Sequence, residues 1–163
     1  MVDVFLDTGR EYLLMVDDDV IPQEDAAVLL RNSGKEIIGG VCYAWKDVGL
    51  YPLLLYKHTE STWVPGSRER IAKETHNGII RVDATGAGCL CVKRDVFLGM
   101  EKPYFQTIPG GMGEDIYFCE KARRIGYEIY VHSRVLTDHF VRIGLGGVAQ
   151  FVAQQVSLAL QGA

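Results

Sequence analysis

Continuous apolar runs alternate along most of the chain with segments whose apolar residues recur at the helical period. This pattern predicts strands interleaved with helices. The clearest run, residues 11–16, reads as a buried first strand. Further strands are predicted at residues 36–43, 51–56, 79–82, 89–92 and 127–131, and helices at residues 2–8, 22–31, 94–98 and 114–124. This alternation indicates an α/β fold, in which helices cover a sheet.

The ends of the helices carry local signals. Pro22 is suited to the first turn of the helix 22–31, where Glu24 and Asp25 would complement the helix dipole. Gly34 lies just past the predicted end of that helix, and Gly126 closes the helix 114–124 in the same way.

Residues 57–78 are polar and aperiodic, and this predicts a long loop. A loop of this length is uncommon in a compact domain unless it has a function. Trp63 within it is a candidate stacking surface for a sugar, and the alternative is an aromatic side chain that anchors the loop. The strand 79–82 that follows is expected to pair with residues 51–56.

The last segment, residues 143–163, contains no charged side chain. Its apolar positions would line one face of a helix. A short isolated helix is unstable in water. We therefore expect this tail to pack on exposed sheet surface or against a second copy of the chain, and we treat residues 1–163 as a single domain.

Composition narrows the class of protein. The chain has 163 residues, 48% of them hydrophobic and 23% charged, with a net charge of -4. This balance gives no broad attraction to nucleic acid. No apolar run reaches the roughly 20 residues that span a membrane, and no signal peptide is visible. The four cysteines lie in apolar stretches, which favours a reducing, cytoplasmic location.

Three consecutive carboxylates, Asp17, Asp18 and Asp19, directly follow the first strand. Like charges this close repel one another, and a bound divalent cation commonly offsets this repulsion. Carboxylate oxygens suit Mg²⁺ and Mn²⁺, and the carboxyl end of a strand is where open α/β sheets bind ligands. The alternative is a polar loop whose aspartates cap the next helix.

Two further groups follow in a fixed order. Glu114 and Asp115 open a helix after a glycine-rich loop, and Asp138 and His139 follow the next strand. Acids at a helix start can simply complement its dipole, and a lone histidine is more often exposed than a metal ligand. The three groups together on one α/β framework favour a shared site.

These motifs resemble those of family 2-type glycosyltransferases with the GT-A fold. The resemblance covers roughly residues 11–140. It rests on the stretch from Tyr12 to Pro22, on Asp83-Ala84-Thr85-Gly86-Ala87-Gly88-Cys89-Leu90 with Lys93-Arg94, and on the run from Gly113 to Cys119, which continues through Ala122-Arg123-Arg124-Ile125-Gly126-Tyr127. It implies a GT-A-like (Rossmann-like) mixed sheet flanked by helices.

The resemblance also implies roles for single residues. Asp17 corresponds to the first acid of the DxD motif, near the ribose or the metal's water shell, and Asp19 to the acid that binds Mn²⁺ or Mg²⁺ directly. His139 corresponds to a further metal ligand, and Asp115 to the base that deprotonates the acceptor hydroxyl in inverting members of the family. The remaining residues assigned to substrate binding are Asp18, Gly86, Gly88 and Glu114.

The chain departs from the family pattern at its N-terminus, because only residues 1–10 precede the first strand. Members of the family hold the nucleobase with earlier βα units, so we expect an N-terminally truncated domain. The leading interpretation is transfer from a nucleotide-sugar donor to a saccharide or other hydroxyl acceptor. The alternatives are a nucleotide-sugar or polysaccharide binding module without turnover, and a nucleotidyltransferase.

Overall fold

A computed structural model of the chain describes residues 1–46, 49–59, 62–109 and 113–140. The helices are α1 (Val2–Asp7), α2 (Ala26–Asn32), α3 (Arg68–Glu74), α4 (Arg94–Leu98) and α5 (Glu114–Arg124). The strands are β1 (Tyr12–Val16), β2 (Val20–Pro22), β3 (Ile37–Val41), β4 (Tyr43–Lys46), β5 (Gly49–Pro52), β6 (Leu55–Lys57), β7 (Trp63–Pro65), β8 (Thr75–His76), β9 (Ile79–Val82), β10 (Cys89–Lys93) and β11 (Ile129–His139).

The described strands form a central seven-stranded sheet in the order β1-β10-β3-β11-β9-β8, and β2 pairs with the far end of β11. The β3–β11 pair is parallel, and the other pairs are antiparallel. The predicted mixed sheet flanked by helices is therefore confirmed. Two small hairpins, β4–β5 and β6–β7, stand apart from this sheet.

Strand β11 runs past the predicted end at residue 131. Its register against β3 shifts between Val131 and Leu136, so the strand bends there instead of ending. The first part of β11 pairs with β9, and the last part pairs with β2, which places His139 opposite Val20. The pairing with β2 places the end of β11 next to the turn that follows β1.

Two hydrophobic clusters cover the two faces of the sheet. On β10, Leu90 and Val92 belong to the cluster that also contains buried residues of α1, α4 and α5. Cys89 and Cys91 point to the other face and pack with Leu30 of α2. Alternate residues of a strand face opposite sides, so a continuous apolar run of this kind is typical of a strand covered on both faces.

The predicted helix start at Pro22 is wrong. Pro22 lies in β2 opposite Thr137, and α2 begins only at Ala26, with Asp25 as its N-cap. Glu24 therefore precedes the helix and does not belong to its first turn. Proline is tolerated here because, among the described strands, β2 pairs on one side only, so its missing N–H leaves no gap in a ladder.

The predicted loop at residues 57–78 contains β7, α3 and β8 in its described part. Ser67 caps α3 by accepting a hydrogen bond from the Arg70 N–H at 3.2 Å. Trp63 packs against the cluster on the α5 side, and its Nε1 is buried, which favours the anchoring alternative over a sugar platform.

The predicted pairing of residues 51–56 with residues 79–82 is wrong. Strand β9 lies between β11 and β8, and residues 49–57 pair locally as hairpin strands with β4 and β7. A single bridge joins Leu55 to Ala84. Local hairpins need less loop closure than the longer-range pairing would.

The tail predicted at residues 143–163 lies outside the described residues. Within the part of the chain that the structure describes, no helix is long and apolar enough to cross a membrane.

Candidate functional site

The acidic turn connects β1 to β2 at one end of the sheet. The Asp17 N–H donates to the carbonyl of Gly88 at 3.2 Å, and the Val20 N–H donates to the carbonyl of Asp17 at 3.1 Å, which closes a tight turn. Asp17, Asp18 and Asp19 are all exposed at this turn. The backbone therefore presents three carboxylates to solvent from a rigid base.

The pairing of β2 with β11 brings His139 to this turn. The Phe140 N–H donates to the carbonyl of Asp19 at 2.8 Å, which joins the end of β11 directly to the acidic turn. The His139 Nε2 lies 3.4 Å from Asp19 Oδ2, and the two side chains are 30% and 50% exposed. The structure thus brings these two predicted metal ligands together, and Asp138 beside them is exposed opposite Ile21.

The other ring nitrogen of His139 determines its tautomer. Nδ1 lies 2.9 Å from the backbone carbonyl of Tyr43, which can only accept a hydrogen bond, so Nδ1 carries the proton. In the neutral ring, the lone pair of Nε2 then points towards Asp19. Metal-binding histidines are commonly oriented in this way by a carbonyl behind the ring. The bond to Tyr43, together with the charge of Asp19, raises the pKa of His139 against the opposing effect of burial.

Helix α5 contributes two further acids from its first turn. Asp115 is half-buried, and its Oδ1 accepts a hydrogen bond from the Ile116 N–H at 2.7 Å. Burial raises the pKa of Asp115, and the charges of Glu114 and Asp17 add to this effect, while the Ile116 bond opposes it. Although Asp17 is exposed as a residue, partial burial of its carboxyl raises its pKa, and the charges of Asp19 and Glu114 reinforce this effect. Acids from the turn and from the helix therefore share one electrostatic environment.

Glycines allow the elements beneath the acids to approach closely. A Cβ added at Gly88 would lie 3.4 Å from Asp17 Oδ2 and 3.1 Å from Val20 Cγ2. A Cβ added at Gly86 would lie 2.8 Å from Leu53 Cδ1 and 3.7 Å from Asp115 Oδ2. Both predicted glycines thus lie between the acidic turn and the start of α5, in space that a larger residue would fill.

Two contributors were missed from the sequence. The carbonyl of Tyr43 orients His139, and a backbone group leaves no residue-type signal. The Thr107 hydroxyl donates to Glu114 Oε2 at 3.1 Å, which steadies that exposed acid. A threonine in a loop is too common to single out, so only the structure could identify it.

The chemistry of the donor set fits a divalent cation that is shared with a ligand. Among the described residues, no group of three or more Asp, Glu, His or Cys side chains is arranged to bind a metal by itself. Asp19 and His139 supply one oxygen and one nitrogen, and Asp17 lies close enough to couple electrostatically with both. Mg²⁺ and Mn²⁺ sites often use few protein ligands and complete their shell with phosphate oxygens and water.

No protein-family model matches this chain, and no curated protein sequence matches it. Solved structures do. The chain is similar to A197 from STIV, with a TM-score of 0.56 and 23% identity over 86% of this chain and 64% of A197. It is also similar to GalNAc-T7, solved with UDP, GalNAc and Mn²⁺, with a TM-score of 0.59 and 14% identity over 88% of this chain and 30% of GalNAc-T7.

At these identities the likeness shows the fold, which is that of a GT-A-type glycosyltransferase. The chain spans about two thirds of the length of A197 and under a third of the length of GalNAc-T7. The expected GT-A-like fold is thus confirmed.

Proposed function

We propose that this chain is a metal-dependent glycosyltransferase, or the catalytic part of one, that moves a sugar from a nucleotide-diphosphate sugar to an acceptor hydroxyl. The observation that carries the proposal is the arrangement of His139, whose Nδ1 is held by the Tyr43 carbonyl and whose Nε2 lies 3.4 Å from Asp19 Oδ2. The GT-A-like fold supports it, and so does the presence of UDP and Mn²⁺ in the GalNAc-T7 structure.

Asp19 and His139 would hold Mn²⁺ or Mg²⁺, with Asp17 close by. When bound, the cation would neutralise charge on the leaving nucleoside diphosphate. The mixed oxygen and nitrogen donors suit Mn²⁺ in particular. Two protein ligands would leave room for the diphosphate of the donor, which agrees with the lack of a third close metal-binding side chain among the described residues.

Asp115 acts as the base in this proposal. Its Oδ1 is occupied by the Ile116 N–H, so Oδ2 is the atom that accepts the proton. As the acceptor oxygen bonds to the anomeric carbon of the sugar, the bond from that carbon to the diphosphate breaks, and the acceptor proton passes to Asp115 Oδ2. The raised pKa of Asp115 makes its carboxylate a better proton acceptor.

The other predicted substrate-binding residues are assigned to the same site. Asp17 would contact the ribose of the donor or the metal's water shell, and Asp18 lies beside it at the exposed turn. Gly86 and Gly88 line the floor between the turn and Asp115, and Glu114 lies at its edge.

The first test is Mn²⁺ binding measured by calorimetry on the purified chain with UDP present. Asp19→Ala and His139→Ala should each weaken binding, with the larger loss for Asp19→Ala, since carboxylate charge holds hard cations most strongly. Glu69→Gln, an exposed acid in the first turn of α3, is the matched control. Equal Mn²⁺ affinity in all variants would refute the proposed metal site.

The second test is turnover. A panel of UDP- and GDP-sugars with Mn²⁺ should show release of the nucleoside diphosphate that depends on Asp19. Metal-dependent binding of the nucleotide without any release would favour the alternative of a binding module. Release of pyrophosphate from a nucleoside triphosphate would favour the nucleotidyltransferase alternative.

A further inference from the structure

Two residues before His139, strand β11 carries a buried hydroxyl that the sequence motifs did not single out. Thr137 is only 6% exposed, and its Oγ1 donates a hydrogen bond to the backbone carbonyl of Val41 at 3.0 Å. Buried hydroxyls are nearly always hydrogen-bonded, so the identity of the acceptor is the informative point. This acceptor lies two residues before Tyr43, whose carbonyl orients the ring of His139.

The carbonyls of Val41 and Tyr43 both face β11 from the end of β3 and the start of β4. Between them, the carbonyl of Cys42 has a different neighbour, because it accepts the Leu53 N–H at 2.8 Å. Carbonyls alternate in direction along a strand, and this segment follows that rule. Residues 41–43 therefore direct every second carbonyl towards β11.

Thr137 and His139 meet these two carbonyls in the same order along the chain. Residues i and i+2 of a strand project from the same face, so both side chains leave β11 on one side. The Thr137 hydroxyl binds the carbonyl of Val41, and His139 Nδ1 binds the carbonyl of Tyr43 at 2.9 Å. In the described part of the chain, the last backbone pair between β11 and β3 is Leu136 with Val41. Side-chain hydrogen bonds thus continue the attachment of β11 beyond that pair, towards the acidic turn.

The Thr137 side chain is held at both of its branches. A Cβ added at Gly40 would lie 3.3 Å from Thr137 Cγ2, so the methyl group packs closely on the backbone of β3. With the hydroxyl bonded to Val41, a β-branched side chain of this kind keeps one χ1 rotamer. On the other edge of β11, Pro22 of β2 lies opposite Thr137. The end of β11 is therefore fixed from two sides at this residue.

We propose that Thr137 is a positioning residue for His139. Its hydroxyl sets the position of β11 along residues 41–43, so that Nδ1 meets the Tyr43 carbonyl and Nε2 stays directed to Asp19. This rests on the proposed function, in which His139 binds the cation through Nε2. Metal-binding histidines are oriented by a partner behind the ring. Here that partner is a backbone carbonyl, so the position of the strand decides whether the ring reaches it. Thr137 contacts neither metal nor substrate and acts only through His139.

The first measurement needs no metal. Heteronuclear NMR of the histidine side chains, at a pH where the ring is neutral, reports which nitrogen of His139 carries the proton. Thr137→Val keeps the shape of the side chain and removes the hydroxyl, and it should speed exchange of the Nδ1 proton with water about fivefold, as expected for the loss of one hydrogen bond. Thr137→Ser, which keeps the hydroxyl, should retain the wild-type signal. Thr137→Ala differs from Thr137→Ser by one oxygen atom and repeats the comparison if Thr137→Val does not fold.

The second measurement is Mn²⁺ binding by calorimetry with UDP present. Thr137→Val should weaken binding about fivefold, while Thr137→Ser should stay within about twofold of wild type. Val96→Ala, which removes buried methyl groups from α4, is the control for lost stability and should bind Mn²⁺ normally. In a His139→Ala background, Thr137→Val should cause no further loss, because a residue that acts through the imidazole has no effect once the imidazole is gone.

Two results would overturn the proposal. One is a wild-type His139 signal in both variants that lack the hydroxyl. The other is an equal loss of Mn²⁺ affinity on Thr137→Val with and without the His139 ring, which would make Thr137 a general structural residue. Failure of the proposed metal site is a separate result: a wild-type chain that binds no Mn²⁺ refutes that site, while the NMR comparison without metal still decides whether Thr137 positions His139.

Discussion

Replacing Glu120 by glutamine should destabilise the fold measurably, because it removes the negative charge that Lys57 and Arg124 both contact. Glutamine keeps the size of the side chain and one acceptor oxygen, so the loss reports mainly on charge. Removing one partner of a fully buried ion pair costs about 3–5 kcal/mol, since the other charge is left without compensation.

The exposures of the two partners reduce that figure. Arg124 is 72% exposed and keeps its hydration, so its contact contributes at most about 1 kcal/mol. Lys57 is 20% exposed, and a hydrogen bond between such a group and a buried carboxylate contributes about 1.5 kcal/mol. Together these contacts predict a loss of about 2 kcal/mol in the free energy of unfolding for Glu120→Gln.

The assay is urea denaturation followed by tryptophan fluorescence, with Glu69→Gln as a control expected to stay within about 0.5 kcal/mol of wild type. Burial alone would raise the pKa of Glu120, but the bonds from Lys57 and Arg124 outweigh it and lower the pKa. The contribution of Glu120 to the free energy of unfolding is therefore complete above the ordinary pKa of glutamate. It is lost as the pH falls through the lowered pKa of Glu120 in the folded chain. The difference between wild type and variant should shrink as the solution is acidified through this range. A variant as stable as wild type at pH 7, or a difference that does not change with pH, would refute this reasoning.

Three further predictions follow from other parts of the structure. Gly40→Ala should lower the free energy of unfolding by about 1–3 kcal/mol, because a Cβ there would lie 2.9 Å from Val135 Cγ1. In the same denaturation assay Gly99→Ala should change the free energy of unfolding much less, because the nearest atom to its Cβ would be 3.4 Å away. Asp115→Asn should reduce kcat about 10²-fold or more, because a base acts in the transition state, while metal-dependent donor binding measured by calorimetry stays intact. Unchanged turnover would leave Asp115 as a helix-start residue only. The raised pKa of Asp115 predicts that the transfer rate, measured as a pH profile, falls on acidification with a midpoint above the ordinary pKa of aspartate. A midpoint at or below that pKa would contradict the assignment of Asp115 as the base.

Elements with strong local signals were predictable from the sequence. Helix α5 begins at Glu114 and ends at Arg124 as predicted, because Gly113 precedes it, acids fill its first turn and Gly126 takes a positive φ just past its end. Strands β1 and β10 were also predicted closely, since continuous apolar runs between turn residues leave little choice of structure. The order of the acidic motifs along these elements was enough to suggest the fold.

Pairing between distant strands was decided by the tertiary structure. Pro22 reads locally as the first residue of a helix, yet β11 holds it in β2, because backbone pairing at residues 137–139 outweighs a weak local preference. The bend in β11 depends on a register shift against β3, which no local pattern encodes.

The candidate site shows the same division. The sequence by itself determined which side chains could bind a cation: three aspartates after a strand, two acids at a helix start and a histidine near the end of the last described strand. The tertiary structure decided which of them meet and in what state. The tautomer of His139 depends on the backbone carbonyl of Tyr43, which every residue type possesses and which only the folded chain can place beside the ring.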